Sequence, residues 1–262
     1  MQTADQREAP SVRVYLLDLD AGTAPPGMAV TLREAISAAH RAARWSPVGA
    51  GSIPAVTVIG IDPARHLQEA LALLDTDEAG KASGLRDLPA RQAYVYAHAG
   101  LRLLLADELG TPAGETLAFA TGAFGKPRLS APHEHLHFSL SRRPGHVALA
   151  LATAPVGVDV EVVRDGVDIA GIGRRFFSEA EQAYIREGPA DGQRFFALWA
   201  RKEALLKAAG LGLDALPAAD ALKSTPTLVD ERGVARPYCL HQLASTAHHA
   251  LAIAVELPAM AA

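Results

Sequence analysis

Cysteine is nearly missing from this chain: Cys239 is the only one in 262 residues. One thiol excludes an internal disulfide and a cysteine-built metal knuckle, and it fits a reducing compartment. A basic excess is missing too. Against 29 Asp and Glu stand 25 Lys and Arg, a net charge of −4, which argues against a general nucleic-acid binder. No stretch approaches the ~20 apolar residues needed to span a bilayer. Residues 1–10 are polar and lack the apolar segment of a secretory signal. The expectation is a soluble, cytoplasmic protein with neither membrane nor nucleic acid as partner. What is present is a 49% hydrophobic composition with 22 Gly and 17 Pro, enough for one large domain or two smaller lobes, each with its own core.

Along the chain, residues 12–19 read as a strand ending in Asp18 and Asp20, and 24–27 as a Pro/Gly turn. Residues 31–45 read as an amphipathic helix with Thr31 and Glu34 forming a capping box. A loop at 46–54, a strand at 56–61, a helix at 64–74 and a polar break at 75–78 follow. A long helix is expected at 90–109, then strands at 117–121, 136–141 and 147–152. Residues 122–129 form a glycine-containing loop between the first two, and the turn at 142–145 joins the last two as a hairpin. Pro155 marks a seam. Beyond it come a strand at 156–163, helices at 169–176 and 178–187, a long helix at 193–209, and a closing β-pair at 234–243 and 250–257. Each half thus opens on a strand ending in paired acids, continues through a long helix and ends in a β-pair. The fold class expected is α/β (α+β): two pseudo-symmetric lobes, residues 1–153 and 154–262, with a ligand cleft between them.

Two stretches carry chemistry. In Gly157-Val158-Asp159-Val160-Glu161, alternation on a strand puts Asp159 and Glu161 on one face and the valines on the other. Two close carboxylates repel unless a hard cation such as Mg²⁺ joins them, and such an ion suits substrate phosphates. The alternative is a solvated strand face. In the long helix, Trp199, Glu203 and Lys207 are spaced i, i+4, i+8 and share a face. Glu203 is a candidate third ligand or general base, and Lys207 a candidate phosphate partner; the alternative is a surface ion pair. Trp199 reads as core packing for that helix. Acids and a lysine in separate elements also describe metal-dependent nucleases, so the chemistry leaves the substrate open.

Motif order narrows it. Phe124-Gly125-Lys126-Pro127, Phe138-Ser139-Leu140-Ser141, the Asp159/Glu161 strand, Arg175-Phe176-Phe177-Ser178-Glu179-Ala180-Glu181, and Trp199-Ala200-Arg201-Lys202-Glu203-Ala204-Leu205-Leu206-Lys207 follow one another. This series resembles the 4′-phosphopantetheinyl transferase superfamily, in its larger two-lobed, surfactin-synthetase type, over residues 74–257. The resemblance implies transfer of phosphopantetheine from coenzyme A to a serine of an apo acyl or peptidyl carrier protein, leaving 3′,5′-ADP. The carriers would be those of fatty-acid, polyketide or nonribosomal-peptide synthesis. It implies Mg²⁺ (with Mn²⁺ as a possible substitute) held by Asp159, Glu161 and Glu203, with Glu203 also deprotonating the serine and Lys207 balancing charge on the pyrophosphate. Gly125, Lys126 and Pro127 correspond to the loop along the adenine, and Ser141 to a serine contacting a coenzyme A phosphate. Lys81, Arg86 and Arg91 become candidates for the 3′-phosphate. Where relatives commonly follow that serine with histidine, this chain has Arg142 and Arg143; an arginine still binds phosphate but never titrates. A two-lobed member would work as a monomer.

The stretch 25–61 looks longer than the corresponding link in the family and has no assigned role. His133, His135 and His137 alternate, but Pro132 and Glu134 point to a loop entering a strand rather than to a histidine metal site. His248 and His249 are adjacent and would diverge on a strand. Arg174 and Arg175 are candidates to meet an acidic carrier. Two rivals remain at this level: a Mg²⁺-dependent phosphodiesterase or nuclease, and a non-catalytic homologue that binds coenzyme A or carrier.

Overall fold

The structure, a computed structural model, describes residues 9–20, 31–49, 51–112, 117–188 and 190–259; the turn expected at 24–27 lies outside these. The fold is α/β, with two main sheets wired alike. In the first, β1 (Ser11–Asp18) pairs antiparallel with β7 (His146–Ala152), and β7 pairs with β6 (His137–Arg143). On the other side of β1 lie the short β2 (Ser46–Pro47) and the parallel β3 (Val56–Gly60). In the second, β8 (Val156–Val162) pairs antiparallel with β11 (His249–Glu256), followed by β10 (Ala235–Ser245) and β9 (Thr227–Val229). In both halves the opening strand is bonded to the closing one.

Side-chain alternation on these strands builds the cores. Tyr15 and Leu17 of β1, with Val147, Leu149 and Leu151 of β7, face the helices of the first half. Val12, Val14 and Leu16, with Ala148, Ala150 and Ala152, face the other way. There they meet Val156, Val158 and Val160 of β8, Leu251, Ile253 and Val255 of β11, and Cys239 of β10 in one cluster shared by both sheets. Strands buried on both faces read as nearly unbroken apolar runs, as these do. Where β6 and β8 lie edge to edge, serines stitch the seam: Ser139 Oγ accepts from Val158 N at 3.0 Å, and Ser141 Oγ donates to Asp159 Oδ1 at 2.6 Å.

The helices follow their caps. Thr31 and Glu34 form the capping box of α1 (Leu32–Ala42), and Asp62 caps α2 (Pro63–Ala72), with proline in its first turn. Residues 75–78 are not a break. Asp75 and Glu78 are the capping box of a further helix, α3 (Thr76–Gly84), which the run of polar residues concealed. Asp87 caps α4 (Leu88–Leu109), which ends at the left-handed Gly110. The loop at 122–129 also holds a three-residue strand, β5 (Pro127–Leu129), paired with β4 (Phe119–Thr121). In the second half α5 (Ile169–Phe176) and α6 (Glu179–Arg186, capped by Ser178 and Glu181) precede α7 (Asp191–Ala209). A 3-10 turn at Leu213–Ala218 follows it.

The seating of α7 positions everything below. It lies on Ala250, Ala252 and Ala254 of β11 and on Gly157 of β8. A Cβ at Gly157 would fall well inside contact distance of the Ala204 carbonyl oxygen and the Ala208 nitrogen. Only small residues admit the helix this close. Lys202 then fastens α7 from its far side. Its buried ammonium is 2.9 Å from Glu181 of α6 and donates to the Leu216 and Ala219 carbonyls, while Glu181 also accepts from Ala221 N. Among the described residues, no helix is long and apolar enough to cross a membrane.

Candidate active site

Three carboxylates converge where β8 passes under α7. One oxygen each from Asp159, Glu161 and Glu203 lie within 4.8 Å of one another. The solvated-face alternative fails, because Asp159 is 0% and Glu161 1% exposed. The valines of the same strand do face the core, as alternation required.

The surroundings of these acids explain how they tolerate burial. Asp159 Oδ1 accepts from Lys207 Nζ at 2.6 Å and from Ser141 Oγ at 2.6 Å, while its Oδ2 is buried with no partner among the described residues. Glu161 is gripped by the guanidinium of Arg143, Nε donating to Oε2 at 2.8 Å and Nη2 to Oε1. Glu203 Oε1 accepts from Trp199 Nε1 at 2.6 Å, and Oε2 is 3.9 Å from Lys207. Burial, followed by repulsion from Asp159, pushes the Glu203 carboxyl up to about 7, with Lys207 working in the opposite direction. Trp199 is therefore more than core packing. Its ring stacks on Phe195 and meets Phe176 edge-on and Phe177 at a tilt, while its indole N–H fixes the Glu203 carboxylate.

An unpartnered buried oxygen on Asp159 beside two more carboxylates is a donor set suited to a hard divalent cation, whose ligands are oxygens. The residues present fit such an ion. No histidine joins this group: residues 133–136 are turn and His137 opens β6, so the three histidines do not alternate on one strand.

Lys207 belongs at once to the acids and to a neighbouring pocket of about 290 Å³, walled by Phe124, Gly125, Pro127, Phe138 and Leu211, with His98 at its edge. Gly125 and Gly210 both take positive φ on its rim, which suits glycine. Lys126 lines the pocket, but its ammonium is engaged elsewhere, donating to the Val156 carbonyl at 3.0 Å and the Ala208 carbonyl at 3.2 Å. Burial lowers its pKa to about 8. Its resting role is to tie the loop to the start of β8 and the end of α7.

Arg142 lies over the Tyr94 ring at 4.9 Å and, among the described residues, forms no ion pair. The two consecutive arginines thus part company, Arg142 toward α4 and Arg143 toward Glu161. Lys81 on α3, Arg86 in the α3–α4 link and Arg91 in the first turn of α4 likewise have no ion-pair partner among the described residues. Lys81 and Arg86 are exposed. His98 is oriented by Glu78 Oε1 at 3.0 Å, and Glu78 also accepts from Arg102, so α3 sets one edge of the pocket. Arg174 and Arg175 are exposed at the end of α5. Sequence reasoning gave no role to His98 or Gly157, and it read Arg143 with Arg142 as a phosphate-binding arginine, not as the partner of Glu161. Gly157 was visible inside the quoted motif; nothing in the sequence pointed from Arg143 to Glu161 or from His98 to the pocket.

Comparison with known proteins bears on the same residues. A profile of the 4′-phosphopantetheinyl transferase superfamily matches residues 155–254, which hold all three acids and Lys207. The transferase HetI of Nostoc sp. is 29% identical over 198 residues, 74% of this chain and 83% of its own. Over residues 155–254 the chain is similar to the 4′-phosphopantetheinyl transferase superfamily. A second member, a 4′-phosphopantetheinyl transferase of Bacillus subtilis, is 35% identical over 105 residues, 39% of this chain and 44% of its own. Psf-1 of Bacillus pumilus is 39% identical over 101 residues, 38% and 42% respectively. The match to these two Bacillus members spans less than half their length, whereas the match to HetI reaches well beyond the superfamily profile.

Proposed function

We propose that this protein transfers the 4′-phosphopantetheine group of coenzyme A to a serine of an apo acyl or peptidyl carrier protein, releasing 3′,5′-ADP. One observation carries the reading: Lys207 bonds Asp159 in the acid cluster and also lines the pocket beside it. An ammonium in that position serves a diphosphate whose nucleotide end occupies the pocket and whose reacting phosphorus faces the acids. Lys207 then stabilises charge on the departing phosphate, the usual strategy in phosphoryl-type transfer.

Asp159, Glu161 and Glu203 would hold Mg²⁺. When bound, the ion neutralises phosphate oxygens and orients them. Glu203, held by Trp199, takes the proton from the acceptor serine. Gly125, Lys126 and Pro127 would border the adenine. Ser141 holds Asp159 in place, and through it the metal side of the substrate. Lys81, Arg86, Arg91 and Arg142, without ion-pair partners among the described residues, supply positive charge for the 3′-phosphate. The first and second halves (residues 1–153 and 154–262) would divide the work into coenzyme A binding and chemistry, within one monomer.

Intact-mass spectrometry of an apo carrier incubated with coenzyme A, Mg²⁺ and this protein tests the reading. A gain of one phosphopantetheine is expected. Glu203→Gln should slow it about 100-fold or more while leaving the fold intact. No gain with any acyl or peptidyl carrier, with coenzyme A still bound, would leave a binding homologue instead.

A further inference from the structure

The three acids are not equally available to a cation. Among the described residues, Asp159 offers a buried Oδ2 without a partner, and the cation beside Glu203 Oε2 is Lys207 at 3.9 Å. On Glu161 both oxygens are already engaged. Arg143 covers both of its oxygens with the two arms of one guanidinium, and Arg164 stands 3.8 Å from Oε2. A divalent ion that takes all three acids finds open oxygens on two of them. On Glu161 it meets oxygens that already accept N–H···O bonds, and it competes with the guanidinium for them.

A guanidinium cannot make room by losing its proton; it has to move. Its place in the fold allows that. Arg143 is the last residue of β6, next to the Pro144-Gly145 turn, and its side chain is 31% exposed while the carboxylate it holds is 1% exposed. Nearby charge also fits exchange. With Arg143 and Lys207 in place, two cations already answer the cluster, so an added divalent ion is opposed by positive charge on both flanks.

We propose that Arg143 is an exchangeable counter-ion, holding Glu161 while no divalent cation is bound and competing with that cation for the same carboxylate. This rests on the reading of the three acids as a metal site. Arg143 keeps the buried acid compensated in the metal-free protein, and in doing so it sets a lower metal affinity than the three carboxylates would have without it. An arginine that merely positions Glu161 would have the opposite effect: removing it would weaken metal binding.

The test is direct titration of the metal-stripped full chain with Mn²⁺ as probe, without coenzyme A, followed by calorimetry or by the spin-resonance signal of free Mn²⁺. Arg143→Met is expected to bind Mn²⁺ about tenfold tighter or more than the parent. Arg143→Lys should fall between them, since an ammonium lacks the planar two-armed grip. Metal-free Arg143→Met should also melt below the parent, having a buried acid without its partner, and Mn²⁺ should raise its melting temperature by more than it raises the parent's. Equal or weaker binding by the variants, with the parent still binding, overturns the inference alone. If the parent binds no Mn²⁺, the inference and the metal reading fall together. Should Arg143→Met fail to fold without metal, Arg143→Lys decides: tighter binding than the parent supports the exchange, and binding no tighter overturns it.

Discussion

The imidazole of His137 shares with Lys126 the wall of a second pocket, of about 170 Å³, and burial followed by that ammonium lowers its pKa to about 4. The unfolded chain would bind a proton there near pH 6.5, whereas the folded chain resists it. The stability this contributes is complete above about pH 6.5 and is lost as pH falls toward 4. We therefore expect His137→Gln to flatten the fall in melting temperature between those pH values relative to the parent, as measured by thermal denaturation across a pH series. At this scale the acids and Lys207 were legible, because strand alternation and helical spacing fix which side chains share a face whatever surrounds them. Arg143 was not. In the sequence it reads, with Arg142, as a phosphate-binding arginine, and only the edge-to-edge meeting of β6 and β8 shows that it reaches Glu161. The sequence pointed Ser141 toward a substrate phosphate; that its hydroxyl donates to Asp159 was not readable, since the pairing depends on the same meeting.

A helix and a strand can hold a catalytic cluster only if their separation is fixed, and here Gly157 fixes it. Adding one methyl at Gly157 sets a Cβ against the backbone of α7, which has no rotamer by which to yield. Overpacking of this kind costs about 3 kcal/mol, and any relief lifts Glu203 and Lys207 away from Asp159. Gly157→Ala is expected to lower stability by about that amount in chemical denaturation. It should also depress transfer activity by more than the population of unfolded protein explains. The helix signals in the sequence were mostly sufficient: capping boxes at Thr31 and Ser178 and a glycine stop at Gly210 define elements without help from distant residues. Asp75 and Glu78 form the same device and were passed over, because four polar residues in a row looked like a break. The three-residue strands β5 and β9 are too short for alternation to register, and only their partners define them.

The two sheets of the whole molecule share one apolar cluster, so neither can lose its partner without exposing valines and alanines on four strands. Each half also carries one tryptophan: Trp45 packs against the core of the first and Trp199 against that of the second. Trp45→Phe and Trp199→Phe each leave a single reporter. Their denaturation midpoints, each compared with circular dichroism of the same variant, should coincide with it. A reporter that departs from the backbone signal would show that one half opens while the other holds. The doubled order of strand, long helix and β-pair was readable from the chain. The pairing of opening with closing strand in each sheet was not, since antiparallel partners this far apart leave no local trace.

Cys239 gives the shared core a further use. Its thiol is buried among the valines of that cluster, its sulfur 3.0 Å from His241 Nε2, and burial raises its pKa above the ordinary value for a thiol. Protonated and shielded, it should ignore maleimides and disulfide reagents as long as the sheets stay together. The molecule is then a blank slate for labelling: a cysteine placed on the surface would be the only one to take a dye. When Cys239 itself does react, its modification rate becomes a clock for how often the two sheets part, read by mass without any change to the native chain.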